Sequence, residues 1–249
     1  MTAINGKEIA QKIINELKIL PRPDKILAAI LIGENSQSKS FLRQKELMAK
    51  ELGIVFELFQ FGEEILEEDL IKEIKRIGAD AEIGGVIVQL PLPPHFNRDR
   101  ILAAVNPKKD VDALTPESQK SVSPLPVEVV RDVLGIMNYE LGDKVVAVVG
   151  KGFLVGKPII EWLKKEGYEP VIFDSKSDLS EIKKADLVIT GVGKGGLIKP
   201  EMLKPGAGVI DFGYSFKSES GIMNKELGAK IFGDFDTSDI HNSSFIIHN

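Results

Sequence analysis

Apolar residues along the chain alternate between short β-branched runs and helical spacings. The first half predicts three strands, at residues 25–32, 54–59 and 85–90. Helical spacing of apolar residues predicts helices between them, at residues 38–52 and 66–77. An opening helix is indicated by four apolar residues on one helical face, Ile9, Ile13, Ile14 and Leu17. This half therefore predicts a small sheet covered by helices.

The second half repeats the alternation after a polar, proline-bearing segment at residues 115–126, which is typical of a hinge. Its predicted strands lie at residues 145–149, 171–173, 186–190 and 208–212. Its predicted helices lie at residues 155–165 and 179–184. Alternation of this kind indicates parallel sheets. We expect a two-lobed α/β protein with an N-terminal α/β substrate domain at residues 1–118. A Rossmann-like dinucleotide-binding domain with a parallel sheet is expected at residues 119–249.

Composition narrows the class of function. The 249 residues are 43% hydrophobic and 28% charged, which is ordinary for a globular protein. A net charge of −5, with no Lys/Arg block longer than two, argues against a nucleic-acid partner. The absence of cysteine excludes disulfides and thiolate chemistry. Residues 1–6 do not resemble a signal peptide, and no apolar run approaches ~20 residues, so we expect a cytoplasmic protein with no membrane partner.

Gln89 stands at the end of a predicted buried strand. Three prolines follow it, at positions 91, 93 and 94, and proline cannot donate to a sheet ladder, so the strand must end near Leu90. The carboxyl ends of strands are where open α/β sheets bind ligands. Taken alone, Gln89 can equally well cap its own strand.

Lys45 interrupts an apolar stripe on the predicted helix at residues 38–52. Phe41, Lys45, Met48 and Leu52 follow one another at helical spacing and share one face. One interpretation is a lysine whose stem covers apolar surface while its ammonium stays in water. The other is a lysine in a partly dry cleft, where it can give up its proton and act as an acid or a base.

A glycine-rich turn joins the strand at residues 145–149 to the next helix. It reads Gly-Lys-Gly-Phe-Leu-Val-Gly from Gly150 to Gly156, with the last glycine one residue late for the G-x-G-x-x-G pattern. Such a turn lets a pyrophosphate lie against the amino end of a helix. Asp174 ends the next strand, near the ~20-residue distance expected for an acid that binds ribose. A simple turn aspartate is the alternative.

Six segments together are similar to one known family. They are residues 40–45 (Ser-Phe-Leu-Arg-Gln-Lys), 88–93 (Val-Gln-Leu-Pro-Leu-Pro), 107–112 (Pro-Lys-Lys-Asp-Val-Asp), 123–126 (Ser-Pro-Leu-Pro), 155–158 (Val-Gly-Lys-Pro) and 233–236 (Gly-Asp-Phe-Asp). With them the chain resembles the bifunctional methylenetetrahydrofolate dehydrogenase/methenyltetrahydrofolate cyclohydrolase family over about residues 4–236. The Gln-Leu-Pro-Leu-Pro and Lys-Asp-Val-Asp segments are specific to it, whereas the glycine turn is not.

The resemblance implies a cleft between two lobes, with tetrahydrofolate on the first and a nicotinamide cofactor on the second. It implies NADP-dependent oxidation of 5,10-methylenetetrahydrofolate to the methenyl form, and hydrolysis of that form to 10-formyltetrahydrofolate. The implied catalytic residues are Lys45, Gln89 and Asp112, and the implied substrate-binding residues are Phe41, Leu90, Pro91 and Asp112. The implied cofactor-binding residues are Gly150, Lys151, Gly152, Gly156, Asp174, Ser175 and Tyr214. It also implies a homodimer, and no metal site is expected, because His95, His241 and His248 lack ligand spacing.

The chain departs from the family pattern at two places that concern chemistry. Phe41 replaces a tyrosine, which keeps a ring for stacking but removes a hydroxyl. Lys151 and Gly152 replace an Arg-Ser pair, which keeps one positive charge without its bidentate fork. Asp174 would repel a 2′-phosphate whereas Lys151 and Ser175 would attract one. NADP is therefore expected on the family pattern, and NAD is not excluded.

The last residues are a further departure. The family continues with a Pro-Gly-Gly-Val-Gly-Pro segment and a final helix, but residues 243–249 match neither, as in a truncated chain or a divergent, short member. We expect hydrolysis to be better preserved than oxidation, and the cofactor to bind weakly. The alternative is a degenerate folate- or nucleotide-binding partner subunit without turnover. A dehydrogenase of the shikimate or amino-acid type is a second alternative, which the Gln-Leu-Pro-Leu-Pro segment opposes.

Overall fold

The structure is a computed structural model that describes residues 2–217, 230–237 and 245–248. The chain forms two compact units, one of residues 11–125 and the other of residues 1–10 together with residues 126–249. The unit that contains residues 126–249 is the larger one. Residue 126 lies shortly after residue 119, where the sequence predicted that the second domain begins.

The chain opens with β1 (Thr2–Asn5) and α1 (Gly6–Leu17). The unit of residues 11–125 then contains β2 (Ile26–Ile32), α2 (Ser36–Glu51), β3 (Val55–Phe61), α3 (Glu67–Ala79), β4 (Ile83–Val88), α4 (Arg98–Leu102) and a 3-10 helix (Ser118–Lys120). Its sheet has the order β3-β2-β4 with parallel pairing throughout. In the central strand β2, residues 28–32 are buried, as is usual where helices cover a parallel sheet.

The buried face of α2 differs from the stripe drawn on the sequence. The helix buries Ser38, Leu42 and Ala49, whereas Met48 is 38% exposed. Position 45 continues the line of Ser38, Leu42 and Ala49, so Lys45 interrupts the buried face that is actually formed. The buried face is therefore not the apolar stripe of Phe41, Lys45, Met48 and Leu52 seen in the sequence. Two neighbouring stripes of this helix contain apolar residues, and packing on the sheet decides which of them is buried.

The larger unit continues with α5 (Leu125–Ile136), β5 (Val146–Val149), α6 (Gly156–Lys165), β6 (Val171–Phe173), a 3-10 helix (Leu179–Lys184), β7 (Leu187–Thr190), a 3-10 helix (Pro200–Met202), β8 (Gly208–Asp211), β9 (Ser215–Lys217), β10 (Lys230–Phe232) and β11 (Phe245–His248). Strands β9 and β10 form a separate antiparallel pair. The remaining strands form a six-stranded parallel sheet in the order β1-β11-β8-β7-β5-β6.

Two apolar clusters cover the two faces of this sheet. Val146 and Val148 face one cluster together with α5 and α6. Ala147 and Val149 face the other, with residues of the 3-10 helix at 179–184. Strands buried on both faces read as unbroken apolar runs, which is why the sequence predicted them.

The chain winds in opposite directions from the middle of the sheet. Strand β6 lies on one side of β5, and β7, β8 and β11 lie on the other, which is the 2-1-3-4-5 order of doubly wound folds. In such sheets ligands bind at the carboxyl ends of the strands where the winding reverses. That point lies here between β5 and β7. The predicted α/β fold with parallel sheets and a Rossmann-like half is confirmed.

Several elements differ from the prediction. The segment at residues 179–184 has the expected bounds but is a 3-10 helix. Helix α5 and strands β1, β9, β10 and β11 were not predicted. Strand β1 pairs along its whole length with β11, at the other end of the chain, so neither four-residue segment has a local signal of its own. In the residues that the structure describes, no helix is both long and apolar enough to cross a membrane.

Candidate active site

Lys45 and Asp112 form an ion pair. The distance from Lys45 Nζ to Asp112 Oδ2 is 3.2 Å, and the two side chains are 36% and 27% exposed. Helix α2 supplies the lysine, and the segment that follows β4 and α4 supplies the acid. An ion pair so accessible to water contributes little to folding. Its interest is chemical, because it places a carboxylate beside an amine that can take part in proton transfer.

The position of Asp112 depends on Asp110, two residues before it. Asp110 is only 5% exposed, and its Oδ2 accepts hydrogen bonds from Ser118 Oγ at 2.6 Å and from the backbone N–H of Leu114 at 2.9 Å. Val86 of β4 donates its backbone N–H to Lys109 O at 2.6 Å. These bonds hold the segment against the sheet. Of the two acids in Lys-Asp-Val-Asp, Asp110 has a structural role and Asp112 faces Lys45.

Gln89 directly follows β4 and extends its ladder by one bond, from its backbone N–H to Ile30 O at 2.9 Å. Its side chain is nearly buried, and Nε2 donates to Leu90 O at 2.7 Å. In the described part of the chain, Oε1 is a buried oxygen without a hydrogen-bond partner. The Nε2 atom of Gln89 thus donates to the local backbone, while Oε1 stays available as an acceptor. A buried acceptor without a partner is costly, which favours a role in binding a ligand N–H or O–H.

The other expected substrate-binding residues are accessible. Phe41 lies one helical turn before Lys45 on α2 and is half-buried. Leu90 is also half-buried, and Pro91, joined to it by a cis peptide bond, is exposed. An aromatic ring at position 41 offers a face on which a planar heterocycle can stack.

The glycine turn after β5 contains two positions that only glycine can occupy. Gly150 has φ of +96°, and a Cβ on Gly156 would lie 2.0 Å from Gly150 O. Gly156 therefore lets the amino end of α6 approach the turn closely, as pyrophosphate binding requires. Gly152 has room for a side chain, because the nearest described atom to a Cβ at this position, Gly191 O, is 4.0 Å away.

Lys151 and Asp174 pair with each other across this turn. The distance from Lys151 Nζ to Asp174 Oδ2 is 2.7 Å. Asp174 Oδ1 accepts from Lys176 N and Ser177 Oγ, each at 3.0 Å, so the carboxylate is held from both sides. The bond from Lys151, followed by those from Lys176 and Ser177, lowers the pKa of Asp174 to about 2. Ser175, the neighbour of Asp174, is exposed.

Two buried acids lie at the same end of the six-stranded sheet, Asp234 from the family segment at residues 233–236, which was given no role in the sequence analysis, and Asp211, which was not named there. Asp234 is fully buried, and it accepts hydrogen bonds from Thr190 Oγ1 at 2.8 Å, Val192 N at 2.6 Å and Lys194 N at 2.7 Å. Thr190 is the last residue of β7, and Val192 and Lys194 belong to the segment that follows it. Thr190 could have been found in the sequence by the same signal as Gln89, since each is a polar residue at the end of a buried strand.

Asp211, the last residue of β8, is the second buried acid. It accepts from the backbone N–H groups of Gly213 at 2.7 Å, Asp234 at 3.2 Å and Phe235 at 2.9 Å. Burial raises the pKa of the Asp211 carboxyl above its ordinary value.

Tyr214, one of the expected cofactor-binding residues, follows the turn after β8 and is half-buried. Its carbonyl oxygen is 3.6 Å from where a Cβ on Gly193 would lie.

Among the described residues there is no group of three His, Cys, Asp or Glu side chains that could hold a metal ion. His95 Nε2 lies 3.0 Å from Glu63 O. His241 falls outside the described residues, and only the backbone of His248 is described.

Comparison with known proteins gives the family. Residues 4–112 match the model for the tetrahydrofolate dehydrogenase/cyclohydrolase catalytic domain, and residues 124–248 match that for its NAD(P)-binding domain. The chain is 32% identical over 252 residues to the bifunctional protein FolD of Enterococcus faecalis, with 94% of this chain and 85% of that protein covered.

Solved structures agree with this result. The bifunctional FolD methylenetetrahydrofolate dehydrogenase/cyclohydrolase of Campylobacter jejuni has a TM-score of 0.88 and 29% identity, covering 99% of this chain and 91% of that one. The enzyme of Trypanosoma brucei, solved with NADP and an inhibitor, has a TM-score of 0.89 and 25% identity, covering 99% and 90%. The resemblance seen in the sequence is confirmed, and this chain belongs to the bifunctional tetrahydrofolate dehydrogenase/cyclohydrolase family of enzymes.

Proposed function

We propose that this chain performs both reactions of its family with the residues described above. The first is NADP-dependent oxidation of 5,10-methylenetetrahydrofolate to 5,10-methenyltetrahydrofolate, and the second is hydrolysis of that product to 10-formyltetrahydrofolate. The observation that supports it most directly is the pairing of Lys45 with Asp112 at 3.2 Å, on a segment anchored by the buried Asp110.

Lys45 is proposed as the base of the hydrolysis. The methenyl group is cationic, and water attacking its carbon must lose a proton. A neutral amine can accept that proton, but an ammonium cannot. In the free protein Lys45 Nζ lies 3.2 Å from Asp112 Oδ2. The amino edge of the pterin is proposed to take over Asp112 as its acceptor, which frees the amine of Lys45 to face the attacking water. Water adds to the methenyl carbon as the electrons of the C=N double bond move onto nitrogen, and its first proton goes to Lys45. The C–N5 bond of the resulting carbinolamine then breaks as the C=O bond of the formyl group forms, and the hydroxyl proton is transferred to N5.

Gln89 and Phe41 are proposed to position the substrate. Gln89 Oε1 is a buried acceptor ready for a ligand donor, and the bond from Nε2 to Leu90 O fixes the plane of its amide. The ring of Phe41, one turn before Lys45, is proposed to stack on the pterin.

NADP is the proposed cofactor, bound at the carboxyl ends of β5 and β7. The turn from Gly150 to Gly156 fits a pyrophosphate, because both glycines allow the close approach that it needs. When bound, the nicotinamide accepts the hydride that leaves the methylene carbon. Lys151 is the cation available to a 2′-phosphate, but it is already paired with Asp174. We therefore expect NADP to be favoured over NAD by only a small factor. The Trypanosoma brucei relative, solved with NADP, supports this choice.

The test is to assay both reactions on one preparation, with NADP and with NAD. Lys45→Met has similar length and lacks the amine. It should fold normally and lose ~10²- to 10⁴-fold in hydrolysis, the usual contribution of a general base. Lys50→Met, on the exposed part of the same helix, is the matched control and should retain wild-type rates. More than about a tenth of wild-type hydrolysis in Lys45→Met would reject the assignment of Lys45.

Absence of both reactions in the wild-type protein would instead favour the degenerate partner subunit without turnover. The preference for hydrolysis over oxidation, the cytoplasmic location and the homodimer stay predictions of the sequence.

A further inference from the structure

Asp234 fixes the segment that leaves β7. Its two carboxylate oxygens divide three donors between them. Oδ2 accepts from the hydroxyl of Thr190 and the backbone N–H of Val192, and Oδ1 accepts from the backbone N–H of Lys194. Both Asp234 and Thr190 are fully buried. A carboxylate with three hydrogen bonds inside the protein holds the backbone from residue 190 to residue 194 in one conformation.

The segment held by Asp234 contacts the glycine turn after β5. A Cβ on Gly191 would lie 2.6 Å from Val155 Cγ1, and a Cβ on Gly150 would lie 3.1 Å from Val192 Cγ2. Gly191 also donates its backbone N–H to Val149 O at 3.2 Å. Residues 190–194 and the turn at residues 150–156 therefore lie side by side where the winding of the sheet reverses.

Asp211 holds Asp234 in turn. It accepts from the backbone N–H groups of Asp234 and Phe235, and Ile198 N donates to Asp234 O at 2.9 Å. The end of β8 is thus connected through residues 234–235 to the segment after β7. No residue of the glycine turn takes part in these bonds. The hydrogen bonds of Asp211 and Asp234 therefore stabilise residues 190–194, which lie beside the turn, and do not hold the turn directly.

From these contacts we propose that Asp234 is a positioning residue for the dinucleotide, which acts by fixing residues 190–194 beside the glycine turn and so determines cofactor affinity and oxidation but not hydrolysis. This inference rests on the proposed function. The residues proposed for hydrolysis all lie in the unit of residues 11–125, whereas Asp234 and its partners all belong to the other unit. A displacement of the nicotinamide by a small distance can cost ~10²-fold in hydride transfer.

The test compares Asp234→Asn, Thr190→Val and Asp178→Asn. Asparagine keeps one acceptor oxygen, and its NH₂ group would face a backbone N–H, so one end of the segment is released. Thr190→Val keeps the shape of the side chain and removes only one donor, so it remains informative if Asp234→Asn does not fold. Asp178, an exposed acid of the same unit that accepts from Ser180 N and Ser180 Oγ, is the matched control.

For each variant we would measure the Kd for NADPH by fluorescence, the kcat and KM of oxidation, the rate of hydrolysis without dinucleotide, and the Tm. Asp234→Asn should raise the Kd about tenfold or more and lower oxidation by up to ~10²-fold. Thr190→Val should raise the Kd for NADPH and lower the rate of oxidation by a few-fold each. The rate of hydrolysis should stay within about twofold of wild type in all three variants.

Two results would overturn the inference. One is that NADPH affinity and oxidation stay within about twofold of wild type in Thr190→Val and in any folded Asp234→Asn. The other is that hydrolysis falls as much as oxidation, which would indicate a general role in folding. If the wild-type protein oxidised no folate, the proposed function would fail instead, and the comparison of NADPH affinities would still decide the role of Asp234.

Discussion

Lys45 and Asp112 lie 3.2 Å apart, Nζ to Oδ2, although 67 positions separate them in the sequence. The contact joins a helix that follows the central strand of a parallel sheet to a segment hydrogen-bonded to a neighbouring strand of that sheet. Because the second segment is anchored by Asp110, the pair can be opened by a ligand without disturbing the sheet. Asp110 thus anchors the segment, while substrate binding is the role proposed for Asp112, two residues later.

This division predicts different defects for the two acids. Asp112→Ala should raise the KM for folate by ~10-fold or more, through loss of a charge-assisted acceptor, while the free energy of unfolding changes by less than about 1 kcal/mol. Asp110→Ala leaves Ser118 Oγ and the N–H of Leu114 without this acceptor and should lower the free energy of unfolding by about 1–3 kcal/mol. Urea denaturation and steady-state kinetics of both variants would check this. Equal losses of stability would contradict it.

Phe41→Tyr should raise activity if the hydroxyl missing at this position normally supports the lysine one turn away. One added hydrogen bond in a sheltered site is worth on the order of 1 kcal/mol, or several-fold in rate. The kcat of oxidation and of hydrolysis should be measured for Phe41→Tyr and for Phe41→Leu, which lacks a ring and should bind folate less tightly. Unchanged or reduced rates in Phe41→Tyr would show that the site is adapted to phenylalanine.

Gly152→Ser should strengthen the binding of NADP without a cost in stability. The nearest described atom to a Cβ at this position is 4.0 Å away, and a serine hydroxyl can donate to a phosphate oxygen. We expect a two- to fivefold lower Kd, about the effect of one hydrogen bond, with an unchanged Tm. Gly156→Ala is the control, because its Cβ would lie 2.0 Å from Gly150 O and should lower both Tm and affinity. A lower Tm in Gly152→Ser would mean that the turn needs glycine there too.

Asp174→Asn should increase the preference for NADP over NAD by about three- to tenfold, since it removes a negative charge near the 2′-phosphate and releases Lys151. The pKa of Asp174 is about 2, below its ordinary value of 3.8, so its ionic contribution to stability is complete above about pH 4 and is lost only as the pH falls toward 2. Asp174 is therefore ionised at both pH 7 and pH 8.5, and the increase in preference for NADP should be equal at the two pH values. Asp178→Asn is the control, and a gain that varies with pH would point to a different titrating group.

The sequence predicts the regular part of this fold well. The bounds of β6 at residues 171–173 were predicted without error, and α2 and β7 differ from their predicted bounds by one or two residues. These elements have a local signal, because a buried strand or an amphipathic helix repeats its pattern within a few residues. The buried face of α2 could not be chosen from the sequence, since Phe41 and Leu42 are both apolar and the choice depends on packing against the sheet.

The candidate site is less predictable from the sequence, and for a definite reason. The resemblance implied that Lys45 and Asp112 belong to one site, but the ion pair between them was not predicted, and the roles of both residues stay predictions. Two features have no local pattern at all. The anchoring of Asp110 needs Ser118 in place, and the network of Asp234 needs Thr190, 44 positions earlier. Gly152 and Gly156 look alike in the sequence, and only backbone geometry shows that the second cannot change.

The pairing of β1 with β11 has a consequence for the order in which the protein assembles. During synthesis residues 2–5 emerge long before residues 245–248, the strand to which they are hydrogen-bonded. The sheet of the larger unit therefore cannot take up β1 until residues 245–248 have been made, whereas the unit of residues 11–125 is one continuous segment that does not wait for them. Until then one edge of β8 lacks the strand that will cover it, which leaves the growing chain open to intermolecular strand pairing at that edge.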